Sequence, residues 1–225
     1  MRLGGFDGLF FRSCEWISRF AYVNVLWFTF MVMGIGIFGV FPATVALFAI
    51  IRKWLMGEST GPILQTYWKI YRKEFVKSNL LGLLIVVIGF ILYVDLAYLP
   101  VTGAIYTVIR YAVIAISFAF FILALYIFPV YVHYQGTIKS YLKYALMASF
   151  AYPLFTLMMI IGSLAIYTGL SIFPGLTPFY SICLLAFLNM WIALQVFRKM
   201  DGREVLNVTE IEVESINQGL QSEVT

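Results

Sequence analysis

Apolar residues in this chain come in runs too long for one face of a soluble helix, with polar residues confined to short stretches between them. The first charge-free run covers residues 21–51, which is 31 residues or roughly 46 Å as one helix, against a hydrocarbon core of about 30 Å. Gly34, Gly36, Gly39 and Pro42 lie inside it and mark where such a helix bends or breaks. Four further runs, at 80–99, 104–128, 144–170 and 179–197, are each long enough to cross once. The pattern predicts an all-α polytopic helical membrane protein with about five transmembrane helices. Halves of only some 13 residues would be too short to span, so the first run reads as one crossing; the alternative is a re-entrant hairpin broken at 34–42.

Two stretches read as interfacial amphipathic helices. Near the start, Phe6, Leu9, Phe10, Cys14, Ile17 and Phe20 recur at helical spacing opposite Arg12, Glu15 and Arg19. At 62–79, Pro62 suits a helix start, with Ile63, Tyr67, Ile70, Tyr71 and Phe75 on one face and Gln65, Lys69, Arg72 and Lys73 on the other. The sequence thus divides into a transmembrane domain over 1–200, with a cytoplasmic amphipathic hairpin at about 42–79, and a tail over 201–225.

Composition removes a soluble alternative. Hydrophobic residues make up 62% and charged residues 12%, about half the charge that a water-facing surface carries. Charge is also unevenly placed: residues 1–200 hold 14 basic and 5 acidic side chains, and residues 201–225 hold 1 and 6. Arg52, Lys53, Lys69, Arg72, Lys73, Lys77, Lys139, Lys143, Arg198, Lys199 and Arg203 all fall on one side of the predicted spans, while the turns at 100–103 and 171–178 carry no basic residue. Basic loops face the cytoplasm, which predicts a plasma-membrane protein with a cytoplasmic C-terminus. The basic residues at 52–77 are candidates for contact with anionic lipid or a protein partner. A single first crossing would put Arg2, Arg12 and Arg19 outside, against that rule. No cleaved signal peptide is expected.

Ionisable residues inside a span are candidates for function. Asp95 and Arg110 are the two here, at matching distances from the turn between the second and third spans, and they form a candidate intramembrane ion pair or a polar path for a small solute. His133, beside Tyr131 and Tyr134, reads as an interface residue. Asn24, Asn189 and Gln195 can hydrogen-bond between helices, and Ala115 with Ala119 is a small-residue pair permitting close approach. The two cysteines, Cys14 and Cys183, are far apart, so neither a disulfide framework nor a metal site is supported. No phosphate-binding glycine loop, metal-binding motif or triad is present; no cofactor, no catalytic residue, no enzymatic activity and no nucleic-acid partner are expected.

Asn24 with Leu26-Trp27, the segment Pro42-Ala43-Thr44-Val45-Ala46-Leu47-Phe48, then Arg52-Lys53-Trp54, Gly57-Glu58, Tyr67-Trp68 and Asn79-Leu80-Leu81-Gly82 resemble the YesL family of bacterial integral membrane proteins, a domain of unknown function. The resemblance covers about a third of the chain. Members are commonly encoded beside carbohydrate importers of the ATP-binding-cassette (ABC) class, so it implies an accessory membrane subunit that binds and stabilises or regulates the permease or ATPase. The 42–58 segment lacks the acidic start of the permeases' ATPase-docking loop, so the chain is not expected to be the permease. The alternative from the residues alone is an autonomous small-solute transporter or channel using Asp95 and Arg110.

Overall fold

The structure, a computed structural model, describes residues 6–99 and 103–223; the side chains of 6–13, 104, 174 and 203–223 lie outside that description, as does much of the N-terminal amphipathic face, most of the 100–103 turn and nearly all of the acidic tail. The described elements are helical: α1 Phe6–Met33, α2 Ile37–Met56, α3 Ile63–Tyr98, α4 Ala104–His133, α5 Ile138–Ala151, α6 Pro153–Ile172 and α7 Thr177–Glu223. Six of the described helices are long and apolar enough to cross a membrane. Their outward faces suit lipid and not water: Phe90 is 64% exposed, Phe118 59% and Ile161 65%. The chain is a polytopic helical membrane protein.

The first apolar run is a helical hairpin, which corrects the single crossing. The chain reverses at 34–36, with Ile35 and Gly36 both at positive φ, 59° and 70°. Trp16 and Trp54 stack edge to face across the pair at 5.8 Å, and Trp27 Nε1 donates to Thr44 Oγ1 at 3.0 Å. Counting only charge-free residues made the halves look short. In fact α1 runs apolar enough from Cys14, carrying Glu15 and Arg19 as a pair one turn apart, and α2 runs on through Arg52 and Lys53 to Met56. An antiparallel pair returns the chain to the side it starts from, so Arg19 joins the other basic residues and the conflict with the charge rule disappears. Cys14, which is exposed, and a cysteine introduced by Asp201→Cys are therefore expected to react with an impermeant maleimide from the same side of the membrane. Labelling from opposite sides would restore the single crossing. Cys183, fully buried, is expected to react only after unfolding.

Helix α2 is the hub. It packs on α1, α3, α4 and α7, and Ala43, Ala46, Leu47, Ile50 and Ile51 are fully buried. Gly57, at φ 72°, ends it with the N–H of Glu58 bonded back to the Lys53 carbonyl. Helix α3 then packs on α2. Its Trp68, Arg72 and Phe75 line a cleft with the 33–38 turn, whereas its Ile70, Glu74 and Lys77 line another with Val45 and Ala49. The expected amphipathic helix at 62–79 is the first half of α3, continuous with the span that follows. Its apolar face packs on protein: Tyr67 is fully buried with its hydroxyl bonded to the Ala43 carbonyl, and Tyr71 OH donates to the Phe30 carbonyl.

The fourth expected span, 144–170, is also corrected. Pro153 cannot continue a helix from Tyr152 and pushes it out of the helical region, to φ −133° and ψ 65°. Helix α5 therefore ends at Ala151; at 14 residues, about 21 Å, it is too short to span, and α6 makes the crossing.

Candidate functional site

The ends of α2 and α4 meet the starts of α5 and α6 and the 197–201 part of α7 at one end of the bundle, where Arg52, Lys77 and Lys199 are held by contacts. Contacts define that end: Arg52 Nε donates to His133 Nδ1 at 3.4 Å, Tyr134 OH donates to Asp201 Oδ1 at 2.9 Å, and Lys199 lies over the Phe155 ring at 4.7 Å.

Between α2, α3, α4 and α5 this end holds a cavity of about 620 Å³. Val45, Ala49, Ile70 and Val132 give it an apolar lining; Lys73, Glu74, Lys77, Tyr131, Gln135 and Tyr141 give it polar groups. Lys77 is its most constrained member. Its ammonium donates to the Gly136 carbonyl at 2.9 Å and to Tyr141 OH at 2.8 Å. It also sits 4.9 Å from the ring centroid of Tyr141 and 5.4 Å from that of Tyr131, close enough for cation–π attraction to both. Tyr131 OH donates to Glu74 Oε2 at 2.7 Å, and the Gly136 N–H donates to Tyr141 OH at 3.2 Å. Two carbonyl or hydroxyl oxygens and two ring faces therefore hold one cation, tying α3 to the α4–α5 connection.

The other basic candidates divide into two groups. Arg52 is half-buried, bonded to His133 and 3.6 Å from Glu58; Lys53, partly exposed, stands in the last turn of α2. Lys69, Arg72 and Lys73 are exposed in a row beside Trp68, and Lys73 approaches Glu74 only to 4.0 Å, in a setting where ion pairs contribute little. Among the described residues no group of three His, Cys, Asp or Glu side chains is placed to hold a metal ion.

Comparison with known proteins fits this architecture. The family described as protein of unknown function, DUF624, matches residues 20–96, which is α1 from Phe20 through nearly all of α3. The uncharacterized protein YteU of Bacillus subtilis (strain 168) is 40% identical over 201 residues, 89% of this chain and 90% of that protein. The chain belongs to the DUF624 family. Two other members from the same organism, the uncharacterized proteins YesV and YesL, are 34% and 31% identical over 86% and 85% of the chain, and 93% and 90% of their own lengths. No solved structure matches.

The DUF624 match thus covers most of the α1–α2 hairpin and α3, of which α2 and α3 line the cavity. Asp95 and Arg110 lie elsewhere, partly buried toward the far ends of α3 and α4. Among the described residues the ion pairs are Arg19–Glu15, Arg52–Glu58 and Lys73–Glu74, so Asp95 and Arg110 are not joined. Helix geometry supplies a reason. Asp95 follows Glu74 by 21 residues and Arg110 precedes Tyr131 by the same number, so the depths match as expected. Twenty-one residues fall short of six full turns, however, and each side chain is turned about 60° from the seam on which Glu74 and Tyr131 meet.

Glu74, Tyr131 and Tyr141 are the site residues that sequence reasoning missed. A signal was present: Glu74 and Lys77 fall one heptad after Tyr67 and Ile70, so both charges lie on the apolar face of α3 and not on its basic one.

Proposed function

We propose that this DUF624 protein is an accessory subunit in the plasma membrane that docks on a transport complex from the cytoplasmic side, binding and stabilising or regulating the permease or ATPase of a carbohydrate ABC importer. The observation that carries the docking role is the exposed row Lys69, Arg72 and Lys73 with Trp68, 42% exposed, on a helix whose opposite face is locked into the core by Tyr67 and Tyr71. A rigid helix with a basic face and an exposed aromatic suits recognition of an acidic protein surface or anionic headgroups. Basic residues in the sequence between α2 and the apolar part of α3, between α4 and α6, and after Phe197 support a cytoplasmic C-terminus. The importer itself rests on the gene neighbourhood that the family resemblance implies.

Purification from the native membrane in mild detergent is expected to recover a permease or ATPase with the chain, and deletion is expected to change oligosaccharide uptake. Lys69→Glu with Arg72→Glu and Lys73→Glu is expected to reduce recovery of the partner by tenfold or more with an unchanged melting temperature, because all three side chains are exposed. Isolation of the wild-type chain alone, with uptake unchanged on deletion, would rule the role out. The unpaired placement of Asp95 and Arg110 gives the autonomous-transporter alternative no comparable support.

A further inference from the structure

We propose that the cavity around Lys77 is a binding site for a phosphate group, a role that stands independently of the importer reading. Tyr141 OH accepts from Lys77 and from the Gly136 N–H, so the proton it has to give is its own, and it is not spent on either of those partners. The Lys77 ammonium uses two of its three N–H bonds on Gly136 and Tyr141. Both groups line the cavity, with Lys73 one turn away on α3.

These donors converge on one space, and the group that uses them together is an acceptor with several oxygens and negative charge. Glu74 does not cancel the site: one oxygen takes the Tyr131 proton and the other faces Lys73, leaving two lysines against one carboxylate. The Tyr131 and Tyr141 rings, tilted by 49° with centroids 4.8 Å apart, fix the Lys77 amine before any anion arrives, which lowers the ordering cost of binding. The apolar lining from Val45, Ala49, Ile70 and Val132 suits the glycerol and first methylenes of a phospholipid, and a free phosphate shares the same anionic chemistry.

The test uses the full chain in a neutral detergent. It is titrated with phosphatidylglycerol and with a glucosyl diacylglycerol that lacks phosphate, both followed by native mass spectrometry, and with inorganic phosphate followed by calorimetry. Saturable binding at one site is expected for phosphatidylglycerol, weakened at least tenfold by Tyr141→Phe and by Lys73→Gln, and unchanged by Lys143→Gln, an exposed lysine outside the cavity. Inorganic phosphate binding with the same variant pattern assigns the site to the bare oxyanion; phosphatidylglycerol binding without it assigns a lipid headgroup. Lys73 is exposed, so its variant reports even where Tyr141→Phe disturbs the α4–α5 connection. The proposal is overturned by no saturable binding of either phosphate compound, by equal binding of the phosphate-free lipid, or by full affinity in Lys73→Gln.

Discussion

Replacing Gly39 by valine is expected to abolish the α1–α2 hairpin and with it the stable fold. A Cβ at position 39 would fall on the backbone of Met31, at its carbonyl carbon and oxygen, and no rotamer change can move a backbone aside. The same carbonyl accepts the Gly36 N–H that closes the turn, so opening space for the side chain costs that bond as well. Overpacking with side-chain neighbours costs about 1–3 kcal/mol, and a backbone neighbour puts this change at the upper end or beyond. Because α2 is the hub, the loss propagates to α3, α4 and α7. Size-exclusion chromatography and thermal unfolding in detergent are the readouts. Gly36→Ala isolates the other reason for glycine in this turn: open space surrounds Gly36, but its φ is 70°, so a loss of only about 1 kcal/mol is expected. Gly169→Ala, in α6 with open space around it, is expected to be neutral or to stabilise by roughly 0.5–1 kcal/mol. A wild-type melting temperature in Gly39→Val would mean that the two helices do not meet at this point.

Those glycines also show how far the sequence could be read. The spans at 80–99 and 104–128 are legible because these parts of α3 and α4 face lipid, where hydropathy alone sets the residue type, and 179–197 is legible because its buried contacts in α7 are apolar as well. The glycines at 34–39 marked the break correctly, yet the count of crossings failed, because charged residues at interfacial helix ends, Glu15 with Arg19 and Arg52 with Lys53, were read as helix limits. Membrane helices tolerate charges there. The Tyr152–Pro153 break adds no polar residue, so a count of apolar length passes over it even though Pro153 is the same kind of signal as Pro42. Tertiary contact explains the rest. Lys77 stood only among the basic contact candidates at 52–77, and its capture by Tyr131 and Tyr141 depends on α5, whose second half the expected fourth span had absorbed. The motif Pro42-Ala43-Thr44-Val45-Ala46-Leu47-Phe48 acquires a physical meaning as the crowded part of the hub: Ala43 and Ala46 are fully buried, and Thr44 links Trp27 to the Val40 carbonyl.

Asn24 carries the second large expectation. Its side chain is fully buried and works as an inserted peptide group: Nδ2 donates to the Pro178 carbonyl at 2.7 Å, and Oδ1 accepts the Cys183 N–H at 3.0 Å. One side chain of α1 thereby bonds to two backbone groups in the first turns of α7 and fixes how these helices meet. Asn24→Leu keeps roughly the volume and removes both bonds, while the two α7 groups keep their places in the helix, so a loss of about 1–3 kcal/mol, about 0.5–1.5 per hydrogen bond, is expected. Faster hydrogen exchange is expected over 178–183, where the amide had been held. Asn24→Asp separates polarity from charge. A neutral carboxyl can still donate to Pro178 and accept from Cys183, whereas an ionised one can only accept and brings an unpaired charge into the core. The variant therefore needs its proton to fold well. Its deficit is expected to be largest at neutral pH and to shrink as the pH falls toward the carboxyl range, about 4, opposite to the usual acid destabilisation. Measuring melting temperature against pH for both variants decides the point. A Leu variant as stable as wild type, or an Asp variant whose deficit does not change with pH, would show that the Asn24 bonds do not join α1 to α7.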